Sequence, residues 1–295
     1  MSSVQRFWKH YTTFPENTPE HVSNYAAFHP FDLEFFKEHY PHFFDEITQL
    51  KSRKLQERLK FERHLLQVNG MYKLDHKNKM VKDEEHIHIW APEPYTGNLE
   101  QAKLLIMLVN PSFDPKYHPS EYEKRVKFDN LHLDLPNYSP YEFTDGKLNK
   151  ENSLNWHYHY MYQYIEQEIG YFHPNQLFTL QYYPYPSYSR DDVTFYNELL
   201  PSQVAAVETV REAMAKGMSL IARSTDRTRW LAHIPELAQY DKLFVFTNYK
   251  QPSLHPNEVL RYDTYRKKDI LNMKGLLKET RKKDWQMLIQ DIVPE

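Results

Sequence analysis

Four stretches of this chain, each polar, proline-bearing or both, follow directly on short apolar runs. They are Asn110-Pro111-Ser112-Phe113-Asp114, Tyr183-Pro184-Tyr185-Pro186-Ser187, Arg223-Ser224-Thr225-Asp226-Arg227, and the segment from Asn248 to His255-Pro256-Asn257. Amides, hydroxyls and an imidazole are groups that read the polar edge of a substrate. Aromatic residues make up 15% of the chain, with 23 tyrosines, and they cluster at Trp156-His157-Tyr158-His159-Tyr160 and Tyr182-Tyr183-Pro184-Tyr185-Pro186. Such clusters can present stacking faces to bases. Residues 261–283 hold nine Lys or Arg against three acids, a pattern that suits either a solvated helix face or a ridge that tracks phosphates. Asp114 and Asp226, with His118 or His255, are the residue types of a carboxylate–histidine metal site. No tight ligand spacing such as H-E-x-x-H accompanies them, and no metal is assigned.

The elements that must position these residues are legible as apolar runs: 104–109 (LLIMLV), 176–183 (QLFTLQYY), 218–224 (MSLIARS) and 242–248 (KLFVFTN). Continuous rather than alternating runs indicate strands covered on both faces, as in a parallel sheet between layers of helices. The intervening segments read as helices. One ends at Gly170; the other opens on Pro201-Ser202 and stops at Gly217. The expected architecture is α/β, a four-stranded mainly parallel sheet with helices on both faces and right-handed crossovers. In such sheets ligands bind beyond the carboxyl ends of the strands, which is where the four polar stretches fall. Residues 1–92 form a helical N-terminal part packed on the core, and 93–295 form the α/β domain with its basic helical C-terminal segment. The boundary near Glu93-Pro94-Tyr95-Thr96-Gly97-Asn98 reads as a turn.

Composition removes several classes of function. The chain has no cysteine, which excludes disulfides, thiolate nucleophiles and cysteine-held zinc or iron–sulfur centres. Its six glycines are too scattered for a phosphate-cradling G-x-G-x-x-G or G-x-x-x-x-G-K-[ST] loop. The longest apolar run is far below the roughly 20 residues of a membrane span, and the N-terminus lacks an apolar signal core. A cytoplasmic protein is expected, with no membrane partner and no cofactor.

The segment PEPYTGNLEQAKLLIMLVNPSFDP resembles the first active-site motif of the uracil-DNA glycosylase superfamily, in which a strand delivers Asn or Asp followed by Pro. QPSLHPNEVL, after the last run, is similar to the His-Pro-Ser type motif that closes the same pocket. The resemblance spans residues 92–262. It implies a uracil-DNA glycosylase-like fold and hydrolysis of the glycosidic bond of uracil or a modified base flipped out of DNA, single-stranded or damaged. That chemistry builds positive charge on the sugar and negative charge on the base. By resemblance Asn110 holds the attacking water and His255 donates to the departing base. Phe113 stacks on it, and Gln181 reads the pyrimidine edge where the family often has Asn. Ser112, Tyr185, Ser187, Asn248 and Asn257 complete the pocket lining, and Arg223, Arg227, Lys267 and Lys268 are expected to meet phosphates. The chain has Leu108-Val109 where the family usually places a glycine, and Asn257 where it has Ser. The alternatives are a non-catalytic nucleic-acid-binding protein of the same fold and a protein-interaction factor that uses the tyrosine-rich surface.

Overall fold

A computed structural model describes residues 1–9, 29–39, 72–74, 80–82, 92, 94–111, 143–144, 147–148, 160–161, 163–170, 176–185, 198–248 and 252–293. In chain order the described elements begin with helices α1 (Ser3–Trp8) and α2 (Pro30–His39) and strands β1 (Tyr72–Leu74), β2 (Met80–Lys82), β3 (Tyr95–Thr96) and β4 (Leu104–Leu108). Strands β5 (Phe143–Thr144) and β6 (Lys147–Leu148), helix α3 (Gln163–Ile169), strand β7 (Leu177–Gln181) and helix α4 (Pro201–Ala215) come next. Strand β8 (Ser219–Arg223), helix α5 (Arg227–His233), a 3-10 turn (Pro235–Gln239) and strand β9 (Leu243–Phe246) follow. Strand β10 (Val259–Arg261) and helices α6 (Tyr262–Tyr265), α7 (Lys268–Met273) and α8 (Leu277–Ile292) complete the order.

The main sheet has six strands in the order β10-β9-β8-β4-β7-β3. Its four central strands are mutually parallel and coincide with the four apolar runs. The sheet is nevertheless mixed and six-stranded, because β3 and β10 add antiparallel edges, so the expected four-stranded, mainly parallel sheet describes only its centre. The two edges are two and three residues long, too short to leave a periodic signature, and short edges resist pairing with other chains. Within the N-terminal stretch expected to be helix and connector, β1 and β2 form an antiparallel ladder.

Burial on both faces explains the continuous apolar runs. Leu105, Met107 and Val109 face one core with Phe178, Leu180, Leu220 and Ala222, beneath α1, α4 and α5. Leu104 and Ile106 face a second core with Leu177, Ile221, Phe244 and Phe246, beneath α3 and α8. Fully burying one such side chain stabilises the fold by about 1.5–3 kcal/mol. Helix α4 starts with Pro201 at its first turn and ends before Gly217, whose φ of 68° suits a residue without Cβ. Its buried face of Ala205, Ala206, Thr209, Val210 and Ala213 is narrow, which lets α1 pack on it through Val4 and Trp8. Helix α8 turns Trp285, Leu288, Ile289 and Ile292 inward at the spacing of one helical stripe.

The N-terminus of α4 is capped from a distance. Asp32 of α2 accepts from the Ser202 backbone N–H through Oδ1 at 2.9 Å and from the Tyr185 hydroxyl through Oδ2 at 2.7 Å. Tyr185 in turn accepts from the His29 backbone N–H at 2.9 Å. Burial pushes the Asp32 carboxyl up to about 6, against the downward pull of its Ser202 and Tyr185 hydrogen bonds. Burial holds the His29 imidazole down at about 4, although its bond to the Phe7 carbonyl works in the other direction.

These two groups act on stability with opposite signs. The fold binds the Asp32 proton more tightly than the unfolded chain does, so that contribution is complete below pH 3.8 and is lost as pH rises through 6. The fold favours neutral His29, so its contribution is complete above pH 6.5 and is lost as pH falls through 4. Between these limits they offset one another in the parent chain. Asp32→Asn keeps an acceptor for Ser202 and removes one of the two titrations. Its melting temperature should therefore fall more steeply than the parent's on acidification from pH 6.5 to 4, as read by thermal unfolding across that range. Parallel pH profiles would contradict the coupling.

Candidate functional site at the carboxyl edge of the sheet

Register brings the ends of the parallel strands together. Leu108 pairs with Gln181, and Met107 with Ala222, so the chain beyond β4 runs between the ends of β7 and β8. The backbone keeps this alignment past the strands, with Tyr182 and Tyr183 donating to the carbonyls of Leu108 and Val109 at 2.9 and 2.7 Å, and Ser224 donating to Phe246 at 3.1 Å. Strand order reverses between β4 and β8, since β7 lies on one side of β4 while β8 and β9 lie on the other. Ligand crevices of open α/β sheets form at such a switch point. Asn110 stands at it.

Side-chain alternation selects a face. Leu104 and Ile106 point into the α3–α8 core with Leu108 packed against it, and the same alternation carries Asn110 to that side. Gln181 follows Leu177, Arg223 follows Ile221, and Asn248 follows Phe244 and Phe246 on the same rule. The Asn110 side chain is part-buried, and its Nδ2 donates to the Pro111 carbonyl at 3.0 Å, which fixes the plane of the amide. Gln181 Oε1 is buried and accepts no hydrogen bond among the described residues. A buried amide oxygen without a donor costs about 1–3 kcal/mol, a cost that a bound N–H donor would remove.

His255 reaches this edge on the loop before β10. Its ring packs edge-on against Tyr164 of α3 at 5.1 Å, and the neighbouring Leu254 N–H donates to the Tyr160 carbonyl at 2.7 Å. The Asn257 backbone N–H donates to Nδ1 at 3.1 Å. A neutral imidazole held in this way carries its proton on Nε2, and that nitrogen is then a donor. The indole N–H of Trp285 anchors the loop from below through the Leu254 carbonyl at 2.8 Å. A cleft of about 410 Å³ opens beside the loop, lined by Pro256, Asn257, Glu168 of α3, and Lys278, Lys282 and Trp285 of α8. Asn110 and Gln181 are not part of that cleft.

The loop is clamped by a residue with no signal in the sequence. Glu258 accepts from Ser253 Oγ at 2.8 Å and from Asn248 Nδ2 at 3.3 Å, while its carbonyl accepts from the Thr247 N–H at 2.8 Å. Asn248 thus ties the end of β9 to the His255 loop, a positioning role that its expected place in the pocket lining did not convey. Glu258→Ala should release both side-chain ties and cost about 1–3 kcal/mol, read as a lowered urea midpoint with an unchanged slope. Parent-like stability would remove Glu258 from the account.

Not every expected site residue joins this row. Tyr185 is fully buried in the opposite core, and its hydroxyl binds Asp32 and His29. Asn257 is exposed and contributes its backbone N–H. Arg223 follows the row by alternation, but its Nε lies 3.7 Å from the buried carboxylate of Asp226. Arg227 and Lys268 gather around Tyr265 on the far side of the edge, and Lys267 is exposed. Ser112, Phe113 and Ser187, as well as Asp114 and His118, lie outside the described residues. Among the described residues no group of three His, Asp or Glu is placed to hold a metal ion, and no helix is long and apolar enough to cross a membrane. Comparison of the chain with protein-family models, with curated proteins and with solved structures gave no match.

Proposed function

We propose that this protein is an N-glycosidic hydrolase of the uracil-DNA glycosylase type, acting on uracil or a modified base flipped out of DNA. The observation that carries the reading is that the carboxyl edge of the parallel sheet presents three residue types suited to this chemistry, two of them at the ends of the adjacent strands β4 and β7. These are an amide fixed just past the end of β4 (Asn110), a buried amide oxygen that accepts no hydrogen bond among the described residues (Gln181) and, on the loop before β10, an imidazole whose Nδ1 already accepts a backbone hydrogen bond (His255). In the proposed reaction Asn110 orients a water toward the sugar carbon. Gln181 pairs with the N–H edge of the base, and His255 Nε2–H donates to the base oxygen as the glycosidic electrons move onto the ring. Water adds to the sugar, and the base leaves with a proton.

The test is incubation of the full chain with single- and double-stranded oligonucleotides that carry uracil or a panel of modified bases, followed by alkali. Strand cleavage at the modified position supports the reading, and intact strands across the panel overturn it. A second reading, nucleic-acid or protein binding without catalysis, is favoured by exposed Ile270, Met273 and Leu276 among the lysines of the C-terminal segment. Intact strands together with retention on DNA would select it.

A further inference from the structure

A second cluster lies across the edge of the sheet from the Asn110 row, on the α4–α5 side. Arg227, the first residue of α5, places its guanidinium 4.9 Å from the centroid of the Tyr265 ring and 5.9 Å from that of Tyr262. Lys268 brings its ammonium 4.6 Å from the same Tyr265 ring and 3.5 Å from the phenolic oxygen. Arg227 and Ser224 both neighbour the Tyr265 hydroxyl, and Ser224 lies just past the end of β8 beside the switch point. Nearby Arg223 is matched by Asp226, whereas neither Arg227 nor Lys268 forms an ion pair among the described residues.

The choice of partner has an electrostatic consequence. A carboxylate would fix a cation and neutralise it, while an aromatic face fixes a cation and leaves its charge available. Two cations held on one ring, neither ion-paired among the described residues, make a local positive field. The Tyr265 phenol responds to it: burial pushes its pKa up, but the neighbouring polar side chains of Arg227 and Ser224 and the charges of Lys268 and Arg227 outweigh burial and hold it below the usual phenol value. Planar guanidinium and compact ammonium together match a phosphate, the one as a fork and the other as a point charge.

We propose that Arg227, Lys268 and Tyr265 form a seat for a phosphate group of a nucleic-acid strand that crosses the carboxyl edge of the sheet, with its base on the Asn110 side. The strand and its direction rest on the glycosidase reading, whereas the seat itself rests on this cluster. Undamaged DNA therefore separates the two, since binding it requires no base release.

The probe is a fluorescein-labelled single-stranded thymidine decamer without terminal phosphates, titrated by anisotropy at several salt concentrations. Arg227→Gln combined with Lys268→Gln should weaken binding about 10-fold or more and lower the slope of log affinity against log salt by about 1. Lys268→Gln alone, which removes no buried group, should give about a 3-fold loss even if the double variant folds poorly. Tyr265→Phe keeps the ring and should lose less than the double variant. Thymidine 5′-monophosphate distinguishes the sources. If it competes at micromolar levels and a 5′-phosphorylated decamer binds far more tightly, the seat takes a terminal phosphate; if neither holds, it takes a backbone diester. An unchanged affinity and salt slope in Lys268→Gln and in a folded double variant would overturn the seat, as would an equal loss from Lys278→Gln with Lys282→Gln on α8.

Discussion

Asn110→Ala should abolish most base release, at least about 10²-fold in single-turnover rate, and His255→Ala should slow it by on the order of 10²-fold or more. The expectation follows from placement. Asn110 lies two residues past a strand that is buried on both faces, Pro111 stiffens the turn, and the amide is pinned to the Pro111 carbonyl. Alanine leaves the backbone in place and removes only the amide to which the proposed reaction gives the water. In the proposed reaction His255 is the donor to the developing anion, and the Asn257 N–H on Nδ1 sets the tautomer that this role needs. Removing one such donor typically costs about 2.7–4 kcal/mol of transition-state stabilisation. Neither side chain belongs to the two hydrophobic cores, so both variants should melt near the parent temperature. An Asn110→Ala protein as active as the parent would refute the assignment of the water-binding role.

Gly97→Ala should cost about 3 kcal/mol or more of folding stability, the largest loss expected from a single added methyl group outside the candidate site. Gly97 follows β3 with φ of 94°, a conformation that L residues rarely adopt, and a Cβ there would lie 2.4 Å from the Leu177 carbonyl oxygen. Neither backbone can yield without parting β3 from β7. That movement would break the pairs Tyr95 with Leu180 and Thr96 with Thr179, as well as the hydroxyl contact between the two threonines. Denaturant unfolding should show a large fall in midpoint, and a change below about 0.5 kcal/mol would mean that the edge strand tolerates displacement.

The parts of this protein that were legible in its sequence are those governed by local burial. Leu104–Leu108, Leu177–Gln181, Ser219–Arg223 and Leu243–Phe246 are buried on both faces, which forces continuous apolar runs, and their polar ends mark the carboxyl edge where Asn110, Gln181 and Asn248 gather. The parts that were not legible depend on partners distant in the chain. Nothing around Asp32 announces that it caps a helix beginning at Pro201, because Ser202 is 170 residues away. Tyr185 lies in a loop that looked suited to substrate, but its hydroxyl is drawn into the same long-range network. The basic run of 261–283 read as one feature, whereas folding singles out Lys268 by bringing Arg227 to the ring of Tyr265 and leaves Lys267 exposed. Strands β3 and β10 escape detection because two or three residues carry no period.

The central claim is that Asn110 and His255 serve one flipped base from the same side of the sheet. It is tested most directly by titrating the protein with an oligonucleotide that carries 2′-fluoro-2′-deoxyuridine, whose glycosidic bond resists cleavage, while recording the NMR signals of the Asn110 side-chain amide and the His255 imidazole. Both sets of signals should move together, and neither should move when an abasic analogue replaces the fluorinated nucleotide. If DNA binds and the two residues stay silent, or if only one of them responds, the base does not occupy a site built from this pair.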